Sequence, residues 1–373
     1  MTLRLNGSTS GYTEIDAPAV AGNNTIQLPS SNPTVNGSLV ACNTSGAMSF
    51  TSDPSITSLN GGALAGTRNR IINGDMRIAQ RGTSFASTGF SGIFTLDRWR
   101  TGGGGSTAVA TISQSTDTPN NTFLNSLRVQ VTTADTSVGS TDLALLVQSI
   151  EGHNVRDLIG NTFTLSFWVK SPKTGTHCAC IRNDGQDRSY VLEYTVSVAN
   201  TWEYKTLTII GGLITAGTWN WTNGEGISIG FTLMCGSTYQ TTANAWQTGS
   251  FSGTANQVNI VDNTANNFYI TGVQLEAGSV ATPFERRSYG QELALCQRYY
   301  QTVRLGSYNN NASSITIGGS ITFPVKPRAT PTMALLSGSA LTYQNLSSTG
   351  TEYYSIVAAG SWNVGDHYVS AEL

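Results

Sequence analysis

Charge is the scarcest property of this sequence. Lys, Arg, Asp and Glu together make up 11% of its 373 residues, against about 25% in ordinary globular proteins. There is no Lys/Arg-rich run, the net charge is −2, and the pI is near 5.9. Such a chain offers no field to a phosphate backbone, so nucleic-acid binding is not expected. Long apolar runs are missing too. The opening MTLRLNGSTS has no apolar core, and no window approaches the ~18 apolar residues of a membrane span. Neither export by a cleaved leader nor membrane insertion is therefore expected. Cysteines are odd in number and scattered (Cys42, Cys178, Cys180, Cys235 and Cys296). That is no disulfide framework, and reduced thiols in a protein made in a cytoplasm are the simpler expectation.

What is present is glycine (40 residues), abundant Ser, Thr and Asn, and scattered aromatics: 7 Trp, 14 Tyr and 12 Phe. A disordered chain needs few aromatics and a high net charge, so this one folds. Polarity carried by hydroxyls and amides points to an all-β protein. Residues 1–67 read as an extended arm. Its short strand-like runs (Leu3–Leu5, Tyr12–Ile15, Thr25–Leu28, Ser38–Ala41) are separated by Gly, Pro and Asn, and none is long enough to own a core.

From 68 to 287 the pattern is cleaner. In FTLSFWVK, Phe163, Leu165, Phe167 and Val169 share a face, with Thr164, Ser166 and Trp168 opposite. Ile227, Ile229, Phe231, Leu233 and Cys235 alternate likewise in ISIGFTLMC, as do Leu127, Val129 and Val131 in SLRVQV. Period two with one apolar face predicts antiparallel strands of a β-sandwich. The glycine run from Thr101 to Ala108 reads as a flexible loop at its rim. In the later stretch FYITGVQLEAGSVATPFERR, Phe268 and Ile270 face one way and Tyr269, Val273 and Leu275 the other. Gly272 suggests a bulge or close backbone approach, and Phe284 a latch beneath the sandwich. Residues 288–306 form a connector, with a helix predicted from Ser288 to Tyr300. Ser288 and Gln291 form a capping box, and Tyr289, Leu293, Cys296 and Tyr300 make one apolar stripe. Residues 307–373 read as a small β domain.

Catalytic and metal motifs fail on context. GISIG (Gly226–Gly230) matches the serine-hydrolase elbow, but that chemistry needs a tight strand-to-helix turn and Ser228 lies inside an alternating strand. His177, Cys178 and Cys180 lack the second ligand pair of a zinc site, and small cysteines pack well on a strand face. Asp184 with Asp187, or Glu276 with Glu285, could be imagined as a glycosidase pair. Asn-Asp-Gly, however, is a hairpin signal, so no enzyme and no metal site is expected.

Several motifs recur in order: NRIINGDMRIAQRGTSF (Asn69–Phe85), FTLDRW (Phe94–Trp99), QSIEGHNVRDLIGNTFTLSFWVKS (Gln148–Ser171), the FYITG–FERR stretch and ELALCQRYY. Together they resemble a family of bacteriophage virion proteins, mostly tail-fibre, tail or minor structural proteins, over residues 69 to 300. The N-terminal segment is similar to leaders of structural proteins from marine and freshwater phages, including cyanophages. The resemblance implies a jelly-roll sandwich similar to carbohydrate-binding modules, no cofactor beyond a structural calcium, and a place on the virion. There the arm would dock on other virion proteins and the sandwich would meet host polysaccharide. A capsid or neck decoration protein is the alternative. Sugar rings stack on exposed aromatics, so Trp219, Asn220, Trp221, Asn223, Tyr239 and Trp246 are the candidate glycan-binding residues; sealing the sandwich edge is their other reading. The helix stripe of Tyr289, Leu293, Cys296 and Tyr300 is the candidate interface of a homotrimer, with burial inside one subunit as the competing explanation.

Overall fold

The computed structural model describes residues 3–6, 9–10, 12–15, 39–42, 48–51, 68–308, 311, 313–338, 341–357 and 362–373. The chain divides into two compact units, Met1–Leu59 and Asn60–Leu373. In the first, β1 (Leu3–Asn6) pairs antiparallel with β2 (Tyr12–Ile15), and β3 (Leu39–Cys42) with β4 (Met48–Thr51). Of the expected runs, Leu3–Leu5 and Tyr12–Ile15 thus pair with each other, while the one at Leu39–Ala41 pairs with a strand the sequence pattern did not mark; Thr25–Leu28 falls outside the described residues.

The second unit opens with the sandwich. Its strands are β5 (Ser84–Thr88), β6 (Arg100–Gly104), β7 (Val109–Ser115), β8 (Ser126–Thr133), β9 (Leu143–Glu151) and β10 (Phe163–Lys170). They continue with β11 (Gly175–Asn183), β12 (Arg188–Val196), β13 (Glu203–Ile209), β14 (Glu225–Cys235), β15 (Trp246–Thr248) and β16 (Asn267–Ala277). Two six-stranded sheets result, ordered β13-β10-β16-β8-β7-β5 and β15-β12-β11-β14-β9-β6, and every named pairing is antiparallel. This is the expected all-β jelly-roll sandwich. Phe163, Leu165, Phe167 and Val169 of the first sheet meet Ile227, Ile229, Phe231 and Leu233 of the second in one fully buried cluster. Phe167 packs edge-on against Phe231 at 4.9 Å. Each such side chain contributes about 1.5–3 kcal/mol on burial.

Three local expectations are corrected. The first half of the glycine run, Thr101–Gly104, is a strand and not a loop, while Gly105–Ala108 lie outside it. β6 pairs with β9, Thr101 opposite Leu146 and Gly103 opposite Ala144. A Cβ on Gly103 would meet the Leu143 carbonyl oxygen at 1.9 Å, so glycine is what lets this edge strand lie flat on its neighbour. In β16, Phe268, Ile270, Val273 and Leu275 all enter the core. The pairing with β10 slips by one residue between Ser166↔Gln274 and Trp168↔Thr271, where Gly272 holds φ +62°. That bulge flips the parity and returns Val273 and Leu275 to the inner face. The third correction is the helix. Ser288 caps it, accepting from Gln291 N, but α1 runs only from Tyr289 to Gln297. Tyr300 already begins a strand, opposite Ser370.

The helix stripe is used within the chain. Cys296 and Tyr299 pack with Ile72 and Ile78, with Leu293, Leu295 and Leu373 around them, and Tyr300 is buried. Of the four candidate trimer residues, Tyr289 is exposed, whereas Cys296 and Tyr300 have no free surface for a partner. Buried Glu292 accepts from Asn73 N and Arg287 Nη1, at 2.6 and 3.2 Å. The NRIINGD segment is equally structural: Asn73 Nδ2 donates to the Ile78 and Asp97 carbonyls, and Trp99 Nε1 donates to the Asn73 carbonyl.

Six further strands follow α1: β17 (Tyr300–Tyr308), β18 (Ile315–Thr322), β19 (Thr332–Gly338), β20 (Thr342–Gln344), β21 (Gly350–Val357) and β22 (Trp362–Ser370). They form two three-stranded sheets, β17-β22-β19 and β18-β21-β20, over Val303, Leu305, Phe323, Leu341 and Val369. Residues next to this part bond back to the sandwich. Glu372 pairs with Arg98 and, at 2.8 Å, with Arg81. Arg98 is 2% exposed and also donates to the Ser149 carbonyl. Arg298 and the Tyr299 hydroxyl both donate to Glu151. Burial alone would raise the Glu151 carboxyl, but these two donors hold it below the usual range.

Candidate functional site

A groove of about 490 Å³ lies on the outer face of the first sheet. Its floor comes from strand alternation. With Phe167 and Val169 committed to the core, Ser166 and Trp168 must point outward from β10. Across the ladder Trp168 is opposite Tyr204 of β13, and their rings lie 5.3 Å apart at 48°. Tyr204 is 44% exposed.

The wall comes from the chain after β16. Thr282 is pinned to the buried Glu276 carboxylate through its N–H at 2.8 Å and its hydroxyl at 2.6 Å. Gln274 donates to Glu276 and accepts from Glu285 N at 2.7 Å. Glu285 in turn takes the N–H groups of Arg68 and Asn69. Between these anchors Pro283 and Phe284 stand over the sheet's outer face, where Phe284 meets Phe123 edge-on at 5.4 Å. Phe284 is therefore a groove wall, not a latch beneath the sandwich. Gly272 makes the junction possible: a Cβ there would lie 2.8 Å from Phe123 Cζ and 3.2 Å from Trp168 Cδ1. Arg286 closes the end, its guanidinium 5.0 Å from the Phe123 ring centre, with Asn120 and Thr122 beside it.

The same face continues along the sheet. Tyr269 of β16 lies between Lys170 of β10 and Arg128 of β8, with the Lys170 ammonium 4.7 Å from its ring centre. Trp202 packs edge-on to Tyr269 at 6.1 Å and donates to Asp117 at 2.9 Å. Burial pushes the Asp117 carboxyl up, but hydrogen bonds from Lys170 and Trp202 outweigh it and keep it below the ordinary range. The face as a whole is a row of aromatic rings edged by amides, hydroxyls and fixed charges.

The residues singled out from sequence divide between two places. Trp219 and Trp221 do share a face, but they stack on each other at 4.9 Å and 9°. Trp246 meets Trp219 edge-on at 5.7 Å, and all three pack against the main core. Trp219 Nε1 donates to the Ala216 carbonyl and Trp246 Nε1 to the Gly212 carbonyl. Asn220 accepts from Thr222 N and its hydroxyl, which closes a turn, and exposed Asn223 gives its carbonyl to Arg328. This cluster seals one end of the sandwich. Tyr239 is not part of it and packs with Leu143, Leu145, Val147 and Cys235. Sequence reasoning missed Trp168, Tyr204 and Phe123. The signal for Trp168 was present, a large aromatic on the outward side of a strand with a complete apolar inner side.

The other candidate chemistries are absorbed by the fold. Ser228 is buried within β14. Cys178 and Cys180 pack with Val191 and Phe251, and burial pushes the Cys178 thiol up to about 11, the reverse of a thiolate ligand. Asp187 binds Thr218 N and Asn183 Nδ2 at the β11–β12 hairpin. Among the described residues no three His, Cys, Asp or Glu side chains come together. The buried carboxylates of Glu151, Glu276 and Glu292 are each taken by protein donors.

No protein-family model matches the sequence, and no curated protein matches it. Solved structures are similar in part. The enzymatically active domain of tailspike protein 4 from bacteriophage CBA120 is 18% identical over 56% of this chain and 21% of its own, with a TM-score of 0.28. A family 4 carbohydrate-binding module is 15% identical over 48% of this chain and 94% of its own, with a TM-score of 0.26. The family 11 carbohydrate-binding module of a Clostridium thermocellum cellulosomal cellulase is 12% identical over 54% and 98%, with a TM-score of 0.28. At such identities and scores the likeness says nothing of ligand or activity.

Proposed function

We propose that this chain is a non-enzymatic structural protein of a phage virion, a tail fibre or tail-associated protein. Its jelly roll attaches to host-surface glycan through the aromatic groove of the first sheet. The observation that carries the glycan reading is the Trp168–Tyr204 pair, side by side on the outer face of a sheet whose inner face is already a closed core. Sugar C–H faces stack on such rings, while Asn120, Thr122, Ser166 and Arg286 stand within reach of hydroxyls. The virion reading rests on the ordered motifs between Asn69 and Tyr300. Attachment would draw its strength from weak sites multiplied over copies on one particle.

The glycan reading is tested by affinity electrophoresis of the full chain through host polysaccharide and lipopolysaccharide. Trp168→Ala with Tyr204→Ala should weaken retardation at least about tenfold, the effect of truncating an aromatic hot spot. Retardation that survives that pair but is lost in Trp219→Ala with Trp221→Ala would move the site to the tryptophan stack. Immunogold imaging of particles tests the placement. Label on the tail is expected, and label on the head would favour a capsid decoration protein.

A further inference from the structure

We propose that a second cleft, on the outer face of the other sheet, binds the anionic group of an acidic saccharide. This rests on the glycan-attachment reading but uses a different face and different residues. The cleft holds about 480 Å³ and is walled by Arg100, the glycines 102–105, Arg182, Gln186, Tyr239 and Ser250. That is a usual size for a small-molecule site, ~300–1,000 Å³.

The two arginines set the site apart. Arg182 is 7% exposed, yet its Nε is buried without a hydrogen-bond partner. Neither Arg182 nor Arg100 makes a side-chain hydrogen bond or ion pair with any described residue. Burial pushes the Arg100 guanidinium down; Glu225 pulls against it, the fields of Arg182 and Arg98 add to it, and Glu372 opposes it. Glu225 itself is held by the Ser149 hydroxyl. Other buried arginines here are paired, Arg98 with Glu372 and Arg287 with Glu292. An unpaired buried charge is costly, and half-buried Arg100 sets a second charge of like sign beside that of Arg182. Arginine stays ionised, so an arriving anion would relieve both.

The rest of the cleft suits a sugar carrying that anion. Gly102 lies beside Arg100, a Cβ there falling 3.6 Å from its Nη1, an ordinary contact distance. Ser250 Oγ donates to Gln186 Oε1 at 3.2 Å, which holds the Gln186 side chain at the cleft with its amide N–H groups free to donate. Tyr239, backed by Leu143 and Leu145, supplies an aromatic wall. Guanidinium forks match carboxylate and phosphate alike, so the acid can be a uronate or a sugar phosphate.

Isothermal titration of the full chain with trigalacturonate, inorganic phosphate and β-1,4-galactotriose distinguishes the sources. Trigalacturonate is expected to bind in a salt-sensitive way. Arg182→Gln and Arg100→Gln should each weaken it at least tenfold, with melting temperatures no lower than wild type, because an unpaired charge has gone. Trp168→Ala with Tyr204→Ala should leave it unchanged. Arginine-dependent binding of phosphate without trigalacturonate keeps the site and assigns it to phosphorylated sugar. The proposal is overturned if wild type binds neither anion, if both Gln variants bind as tightly, or if the Trp168/Tyr204 variant abolishes trigalacturonate binding. Loss of galactotriose binding alone in that last variant bears on the groove and leaves this cleft standing.

Discussion

His177 shows how one side chain settles between two readings. Beside Cys178 and Cys180 it looks like a ligand, yet alternation turns it to the opposite face, into the core. Its ring stacks near Tyr194 at 5.5 Å and Phe268 at 6.4 Å. Nε2 donates to the Lys173 carbonyl at 3.0 Å, and Nδ1 is buried without a partner. Burial lowers its pKa; the Lys173 bond and Glu203 oppose this, while Lys205 and Lys173 add to it. The unfolded chain titrates near ~6.5. Below that pH it gains a proton that the folded chain refuses, so stability falls as pH drops and levels only below the folded pKa. Melting temperatures should fall between pH 7.5 and 5, and His177→Gln, which keeps a donor but cannot titrate, should flatten that slope. Equal slopes in both proteins would show that His177 takes no part.

Among the elements, the clearest test is the bulge in β16. Gly272 combines φ +62° with a side-chain position occupied by Phe123. Alanine there should lower unfolding free energy by about 1–3 kcal/mol, from left-handed strain plus displacement of the ring. It should also weaken glycan binding by disturbing the groove; an unchanged urea midpoint would count against this account. β10 was legible because its alternation is uninterrupted. β14 was legible only as far as Leu233: its pairing with β9 slips between Thr232 and Met234, which puts Met234 in the core beside Leu233 and Cys235 with Leu143, Leu145 and Val147 on the other face. β16 was misread past Gly272 because one inserted residue reverses parity, and sequence shows the glycine but not the slip. The strand Arg100–Gly104 looked like a loop because glycine lacks the side chains that mark a strand, yet that lack is what its close approach requires. Helix α1 stops early because Tyr299, Tyr300, Thr302 and Val303 favour a strand and β22 is there to receive it. Trp168 could be read as outward-facing. Its meeting with Tyr204 and Phe123, like that of Arg100 with Arg182, depends on sheet order, which no local pattern encodes.

At the scale of the molecule, the ion pair of Arg98 and Glu372 ties the sandwich to the segment after β22. Glu372→Ala leaves a buried guanidinium unpaired, a change worth about 3–5 kcal/mol. Calorimetry should find the sandwich melting earlier although the substitution lies outside it. A melting temperature within a degree of wild type would refute that coupling. The partners are 274 positions apart, and ribosomes add about 5–20 residues per second. A nascent sandwich therefore waits roughly 14–55 s for this countercharge. Until then Arg98 has no acid to close on, so chains broken off before residue 372 should be recognised by proteases as unfinished.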